Sequence, residues 1–160
     1  MRAEAPGRVR QVALPPAARA LSTLPQIDYE DAFVLDSGPA QDRTGEQWAR
    51  AILEDAPIVV RGALLSGWSA LGLRLGSPRS DPFVLGWEVR RSAPDFALLG
   101  ARSPIGLSAE LLVKRRRQTV LFATLLHQQN QAARAVWAAV RPVHLPVVRF
   151  VLGQARLPAR

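Results

Sequence analysis

The stretch Thr119–Leu152, TVLFATLLHQQNQAARAVWAAVRPVHLPVVRFVL, changes its hydrophobic period once, and that change decides the fold. Up to His127 the spacing is that of a strand, with Val120, Phe122, Thr124 and Leu126 alternating with Leu121, Ala123 and Leu125. After the polar "QQN", residues Ala133, Val136, Trp137, Val140, His144, Val147, Val148, Val151, Leu152 and Ala155 recur every three or four positions. That spacing predicts one long amphipathic helix with Asn130 as its N-cap. Pro142 and Pro146 lie inside it, and each removes a backbone donor and favours a kink. The apolar stripe keeps its phase across both prolines, so a single bent helix is expected rather than two.

Upstream, Lys114–Arg117 places four cations directly before the strand. Leu107, Ala109, Leu111 and Val113 alternate with Ser108, Glu110, Leu112 and Lys114, so strands flank the run and Arg115–Gln118 becomes a solvated hairpin turn. The absence of Gly, Asn and Asp there calls for a loop longer than two residues. Phe83–Arg91 and Phe96–Arg102 supply two more candidate strands, joined by "SAPD" and "SPIG", which makes an antiparallel meander. Gly76–Pro82 reads as a loop.

The amino-terminal half is mixed. Residues 1–7 read as a frayed tail, Arg8–Leu14 as an edge strand, and "PPAARALSTL" as a short helix opened by proline. "IDYEDAFVLDSG" predicts a strand centred on Ala32–Leu35 and closed by a turn at Asp36–Pro39. Thr44 and Gln47 have capping-box spacing and start a helix that Pro57 ends. A second helix follows Pro57, with Ile58, Leu64, Leu65, Trp68 and Leu71 on its apolar side and Gly62 and Gly67 weakening it.

At 160 residues, with 48% hydrophobic and 21% charged residues, the chain fits one globular domain, taken as residues 8–156. The absence of cysteine excludes disulfides and cysteine-based metal or redox sites. The amino terminus lacks the uninterrupted apolar stretch of a signal peptide, and Ile58–Leu75 is broken by Arg61 and Arg74, so a cytoplasmic location is the expectation. All thirteen acids precede Leu111, whereas residues 111–160 carry nine cations and no acid. Such asymmetry fits nucleic acid or anionic membrane. Nucleic acid is the weaker option, because the aromatics do not interleave with Arg134, Arg141 and Arg149 as a stacking groove requires. A solvated basic surface is preferred, anionic membrane remains an alternative, and the oligomeric state is left open.

The order of elements, together with "YEDAFVL", "WARAILEDAP" and the closing strand–turn–helix with its internal "RPVHLP", resembles the START-like superfamily, also called SRPBCC or helix-grip. More narrowly, it is similar to a bacterial branch known as a domain of unknown function. The resemblance spans most of the chain and implies an α+β fold in which a curved antiparallel sheet grips a long C-terminal helix. The strand at Ala32–Leu35 departs from the order usual in that superfamily, where the first strand leads straight to the helices. The resemblance further implies a hydrophobic cavity between sheet and helix, used in the superfamily for lipids, sterols and polyketides and occasionally for cyclisation or hydrolysis.

On that basis Trp87, Phe96, Phe122, Thr124, Trp137, Val140, His144 and Val148 are the expected ligand-lining residues, although the same pattern describes a packed core. Gly86, Gly100 and Ala123 leave room opposite larger residues. His144 sits on the helix stripe and reads either as a ligand hydrogen-bonder or general base, or as a core histidine satisfied near the prolines. His127 reads as an exposed neighbour of the turn. Two histidines with no acid after Glu110 make a metal site improbable, and Glu30/Asp31 and Glu54/Asp55 are adjacent carboxylates that point apart. No nucleophile elbow, dinucleotide fingerprint or P-loop is present, so no cofactor is expected and a binding protein is favoured over an enzyme.

Overall fold

A computed structural model describes residues 9–37, 43–77 and 82–155. The expected tail at residues 1–7 lies outside them, as do part of the Asp36–Pro39 turn and most of the Gly76–Pro82 loop. In chain order the elements are β1 (Val9–Val12), α1 (Pro16–Arg19), β2 (Tyr29–Asp36), α2 (Gly45–Leu53), α3 (Ile58–Ala70), β3 (Phe83–Val84), β4 (Trp87–Ala93), β5 (Phe96–Ser103), β6 (Leu107–Arg115), β7 (Thr119–Gln128) and α4 (Gln131–Ala155). The strands form one open seven-stranded antiparallel sheet, ordered β1-β2-β7-β6-β5-β4-β3. The fold is therefore α+β, with β1 at one edge and the meander running out to the other.

The period change after His127 marks a real junction. Asn130 caps α4, its Oδ1 accepting from Ala133 N at 2.9 Å, and the helix continues through Pro142 and Pro146. Thr44 and Gln47 form the reciprocal capping box of α2, which ends at Leu53 rather than running on to Pro57. Arg116–Gln118 turn the β6–β7 hairpin, and its flanking cations are engaged: Lys114 pairs with Asp95 at 2.9 Å, and Arg115 donates to the Arg43 carbonyl.

The strand expected over Phe83–Arg91 is instead a tight hairpin. Val84 faces Trp87 across Leu85 (φ 46°) and Gly86 (φ 93°), two consecutive left-handed residues of the kind a two-residue hairpin turn requires. The alternation of Phe83, Leu85, Trp87 and Val89 hid this turn, because a leucine in the left-handed region gives no compositional warning.

The sheet is covered on both sides. On one face Phe33, Leu35, Leu99, Leu111, Val113 and Phe122 pack beneath Trp48, Ile52 and Leu53 of α2, Leu64 of α3, and Trp137, Val148 and Leu152 of α4. On the other, Val34, Phe96, Leu98, Leu112, Leu121 and Leu125 are covered by Leu14, Ala18, Leu21, Leu24 and Ile27, the α1 segment and its continuation. This outer strap is held by Glu110, which is fully buried. Its carboxylate accepts from Ser22 Oγ (2.6 Å), Thr23 N (3.2 Å) and the Thr23 hydroxyl, and pairs with Arg90 at 3.3 Å.

Three small residues expected to open space do not. Gly86 turns the β3–β4 hairpin, Ala123 lies under the strap, and Gly100 lets the Arg90 guanidinium cross β5 towards Glu110.

The helices are unequally buried. Leu64 is the single buried residue of α3, whose Ile58 and Val59 are 75% and 79% exposed, so Ile58 leaves the apolar side assigned to it. α4 buries Ala133, Trp137, Val148, Val151 and Leu152 but exposes Val143, Val147 and Phe150. By length and composition it is apolar enough to cross a membrane, despite its three arginines and two prolines.

Candidate functional site: an apolar cavity with a carboxylate–histidine pair

Between the helix-side face of the sheet and the α3–α4 pair lies a half-open cavity of about 140 Å³. Its floor comes from β6 and β7 (Leu107, Ala109, Leu111, Thr124, Leu126), its walls from Trp87, Trp68 and Trp137, and its rim from Gly67, Val140, Val143, His144 and Val147. A smaller lobe of about 50 Å³ continues towards Phe122, Val148 and Leu152, sharing Leu111, Thr124 and His144 with the first. Across the larger lobe Trp68 of α3 stands edge-on to Trp87 of β4, with ring centroids 5.4 Å apart.

Of the residues expected to line such a space, Trp87, Thr124, Trp137, Val140 and His144 border the larger lobe, and Phe122 and Val148 the smaller. Phe96 does not. It points to the outer face among Leu98, Leu112 and Leu14, with the Arg91 guanidinium 5.4 Å from its ring. The reason is phase: on β5 the odd-numbered Leu99 and Ala101 face the helices, so Phe96 falls on the other side.

At the cavity edge His144 Nε2 lies 2.9 Å from Asp31 Oδ2, an oxygen that also accepts from the Tyr29 hydroxyl at 2.6 Å. Burial, reinforced by the Asp31 carboxylate, pushes the Tyr29 phenol well above its ordinary pKa, so Tyr29 stays a donor. Trp137 packs edge-on against both rings, 5.0 Å from Tyr29 and 4.9 Å from His144, and Arg141 lies 5.4 Å from the Tyr29 ring. Asp31 Oδ1, Thr124 Oγ1 and Trp137 Nε1 are buried and have no hydrogen-bond partner among the described residues. Asp31 and Thr124 are cross-strand neighbours, and Thr124 in turn faces Leu111, so one row across the sheet runs from a carboxylate to an aliphatic floor.

Asp31, Tyr29 and Trp68 are not among the residues that the sequence assigns to the site. A signal was present for the first: Tyr29, Asp31, Phe33 and Leu35 share a face, which puts an acid in phase with buried residues and in need of a partner. Its neighbour Glu30 points the opposite way, to Arg19 at 2.5 Å.

His127 is not an exposed turn neighbour. Its side chain is 21% exposed and its Nδ1 lies 3.0 Å from Asp28. The Gln128 amide, with help from His127 and Gln26, holds the Asp28 carboxyl below its usual range against the opposing effect of burial. The two histidines thus take separate carboxylates, and no cluster of three metal-ligating side chains occurs among the described residues.

The chain matches no known protein family, no curated protein and no solved structure.

Proposed function

We propose that the protein binds a small apolar molecule between its sheet and its C-terminal helix, as a non-catalytic carrier or sensor of the helix-grip, START-like kind. The half-open apolar cavity carries this reading. The element order supports the finer label, with a meander returning through β7 to β2 and a long last helix lying across the same face. The size of the cavity points to the small end of the ligand range, since a space of about 150 Å³ accommodates a benzene-sized guest. A sterol or a long acyl chain would need α3 and α4 to part.

Toluene and indole are suitable first probes. Saturating toluene, at about a hundred times its dissociation constant, is expected to stabilise the protein by about 2.7 kcal/mol in a thermal or urea melt. Ala109→Leu, which fills the floor, should abolish that gain while leaving the unliganded protein folded. A wild-type melt that neither probe moves would sink the proposal.

A second reading concerns the outer surface of the same two helices. Among the described residues the exposed large apolar side chains, Ile58, Val59, Val143, Val147 and Phe150, all lie on α3 and α4, with Val143 and Val147 also at the cavity rim, and neither helix contains an acid. Arg134, Arg141 and Arg149 add positive charge to α4. This combination suits an anionic lipid surface, where each cation contributes about 1 kcal/mol. Co-sedimentation with phosphatidylglycerol vesicles, weakened by salt and by Val59→Ser/Phe150→Ser, two exposed positions outside the cavity lining, is the expected result. Equal recovery with neutral phosphatidylcholine vesicles would reject it.

A further inference from the structure

His144 borders both lobes of the cavity, yet only one of its ring nitrogens is used. With the imidazole neutral, a carboxylate partner that only accepts takes the ring hydrogen on Nε2 and leaves Nδ1 as a lone-pair acceptor. Nδ1 makes no hydrogen bond among the described residues and is not one of their occluded polar atoms. The same carboxylate stands ready to stabilise the imidazolium that would form if Nδ1 took a proton, the arrangement by which a buried acid orients and supports a histidine base. Tyr29, donating to Asp31, and Trp137, packed against the imidazole, fix the pair in place. A histidine wanted only for packing would not need a carboxylate drawn out of water, because desolvating that charge costs several kcal/mol.

We propose that Asp31 and His144 form a proton-accepting site at the polar edge of the cavity, built for a small ring compound that carries a weakly acidic hydroxyl, a phenol or an enol. This inference rests on the cavity reading and adds the chemical class of the guest. The ring lies among Trp68, Trp87 and Trp137, and the hydroxyl meets His144 Nδ1. The step is a proton transfer alone: the O–H bond breaks, an N–H bond forms at Nδ1, and the Nε2 hydrogen remains directed at Asp31. Of the charged and titratable groups nearby, Tyr29 stays protonated and Arg141, beside the Tyr29 ring, favours the resulting anion.

The test compares 4-nitrophenol, whose anion absorbs visible light, with its methyl ether 4-nitroanisole, which has the ring but no proton to give. The wild-type protein is expected to bind the phenol about tenfold or more tightly than the ether, the scale of a hydrogen bond to a charged partner. The bound phenol should show an increased phenolate band at a pH where the free compound is mostly neutral. His144→Phe, which keeps a ring of similar size, should bring the two affinities within about twofold while the ether still binds, because the hydrogen bond is then lost and the cavity is not. Asp31→Asn, which keeps the shape and removes the charge, should lower both the preference and the phenolate band, and it serves if His144→Phe fails to fold. Equal binding of the two compounds to the wild type, or a preference that survives both substitutions, overturns the proton-accepting site and leaves the cavity reading intact. Binding of neither compound overturns both.

Discussion

Replacing Glu110 by alanine is expected to cost about 3–5 kcal/mol of folding stability, the scale for breaking a buried charge pair by removing one partner. Glu110 is fully buried, and four groups depend on its carboxylate: the Ser22 and Thr23 hydroxyls, the Thr23 amide and the Arg90 guanidinium. Alanine would leave Arg90, only 18% exposed, without its main counter-charge, and would release the strap that covers Leu98, Leu112, Leu121 and Leu125. A single domain has about 5–15 kcal/mol to lose, so the variant should lie near the edge of folding at 37 °C. Urea denaturation measures the loss, and Glu110→Gln, which keeps an acceptor oxygen, should fall between the two. Hydrogen exchange over residues 14–27 should rise more than over β7. A loss within about 1 kcal/mol, the range of an exposed ion pair, would show that the strap does not depend on this carboxylate.

The second large effect is expected from Gly45→Ala, with a sign opposite to the usual one. In a helix, glycine to alanine ordinarily gains about 1 kcal/mol. Here the first residue of α2 abuts the start of β5, its amide donating to the Pro94 carbonyl at 3.1 Å. A Cβ at this position would lie 2.7 Å from Phe96 N and closer still to the Phe96 Cα and carbonyl carbon. The obstacle is strand backbone rather than the end of a flexible side chain, so α2 itself must move. Trp48, Ala49, Ile52 and Leu53 would move with it, and a loss of about 2–3 kcal/mol is expected, the upper part of the range for overpacking. A denaturation midpoint equal to or above that of the wild type would contradict the close approach.

These two positions also show what a one-dimensional reading misses. Glu110 lies in "LSAELLVK", where alternation assigns it to a polar face, yet that face is covered and the glutamate is buried. Gly45 reads as a neutral residue inside a capping box, because sequence does not say which strand a helix terminus will touch. The run Val120–Leu126, apolar except for Thr124, is the pattern of a strand covered on both sides, since such strands lose clean alternation.

The candidate site was half legible. His144 stands out because a histidine on an otherwise apolar stripe needs a reason, and Trp87, Thr124, Trp137 and Val140 join it through their strand and helix phase together with the cavity that the family resemblance implies. Asp31 was set aside as one of two adjacent acids pointing apart. The two do point apart, Glu30 to Arg19 and Asp31 to His144, and alternation alone does not say which one faces inward. Phe96 was misplaced because a terminal strand residue can be counted onto either face until the register of its neighbours is known.

The sequence by itself determined the elements: the period switch after His127, the cap at Asn130, the capping box at Thr44–Gln47 and the meander joined by short connections. Each is encoded within a dozen residues by spacing and side-chain chemistry, so no long-range information is needed. Only the tertiary structure decided the hairpin at Leu85–Gly86, the strap held by Glu110, the cavity under α3 and α4, and the meeting of Asp31 with His144. The strap, the cavity and the Asp31–His144 contact need residues dozens of positions apart to meet, and the hairpin, though local, is held by the Leu85 amide donating to Glu54, 31 positions earlier. The 2.9 Å between Asp31 and His144 spans 113 positions, and it is fixed by sheet register and helix docking rather than by any local preference.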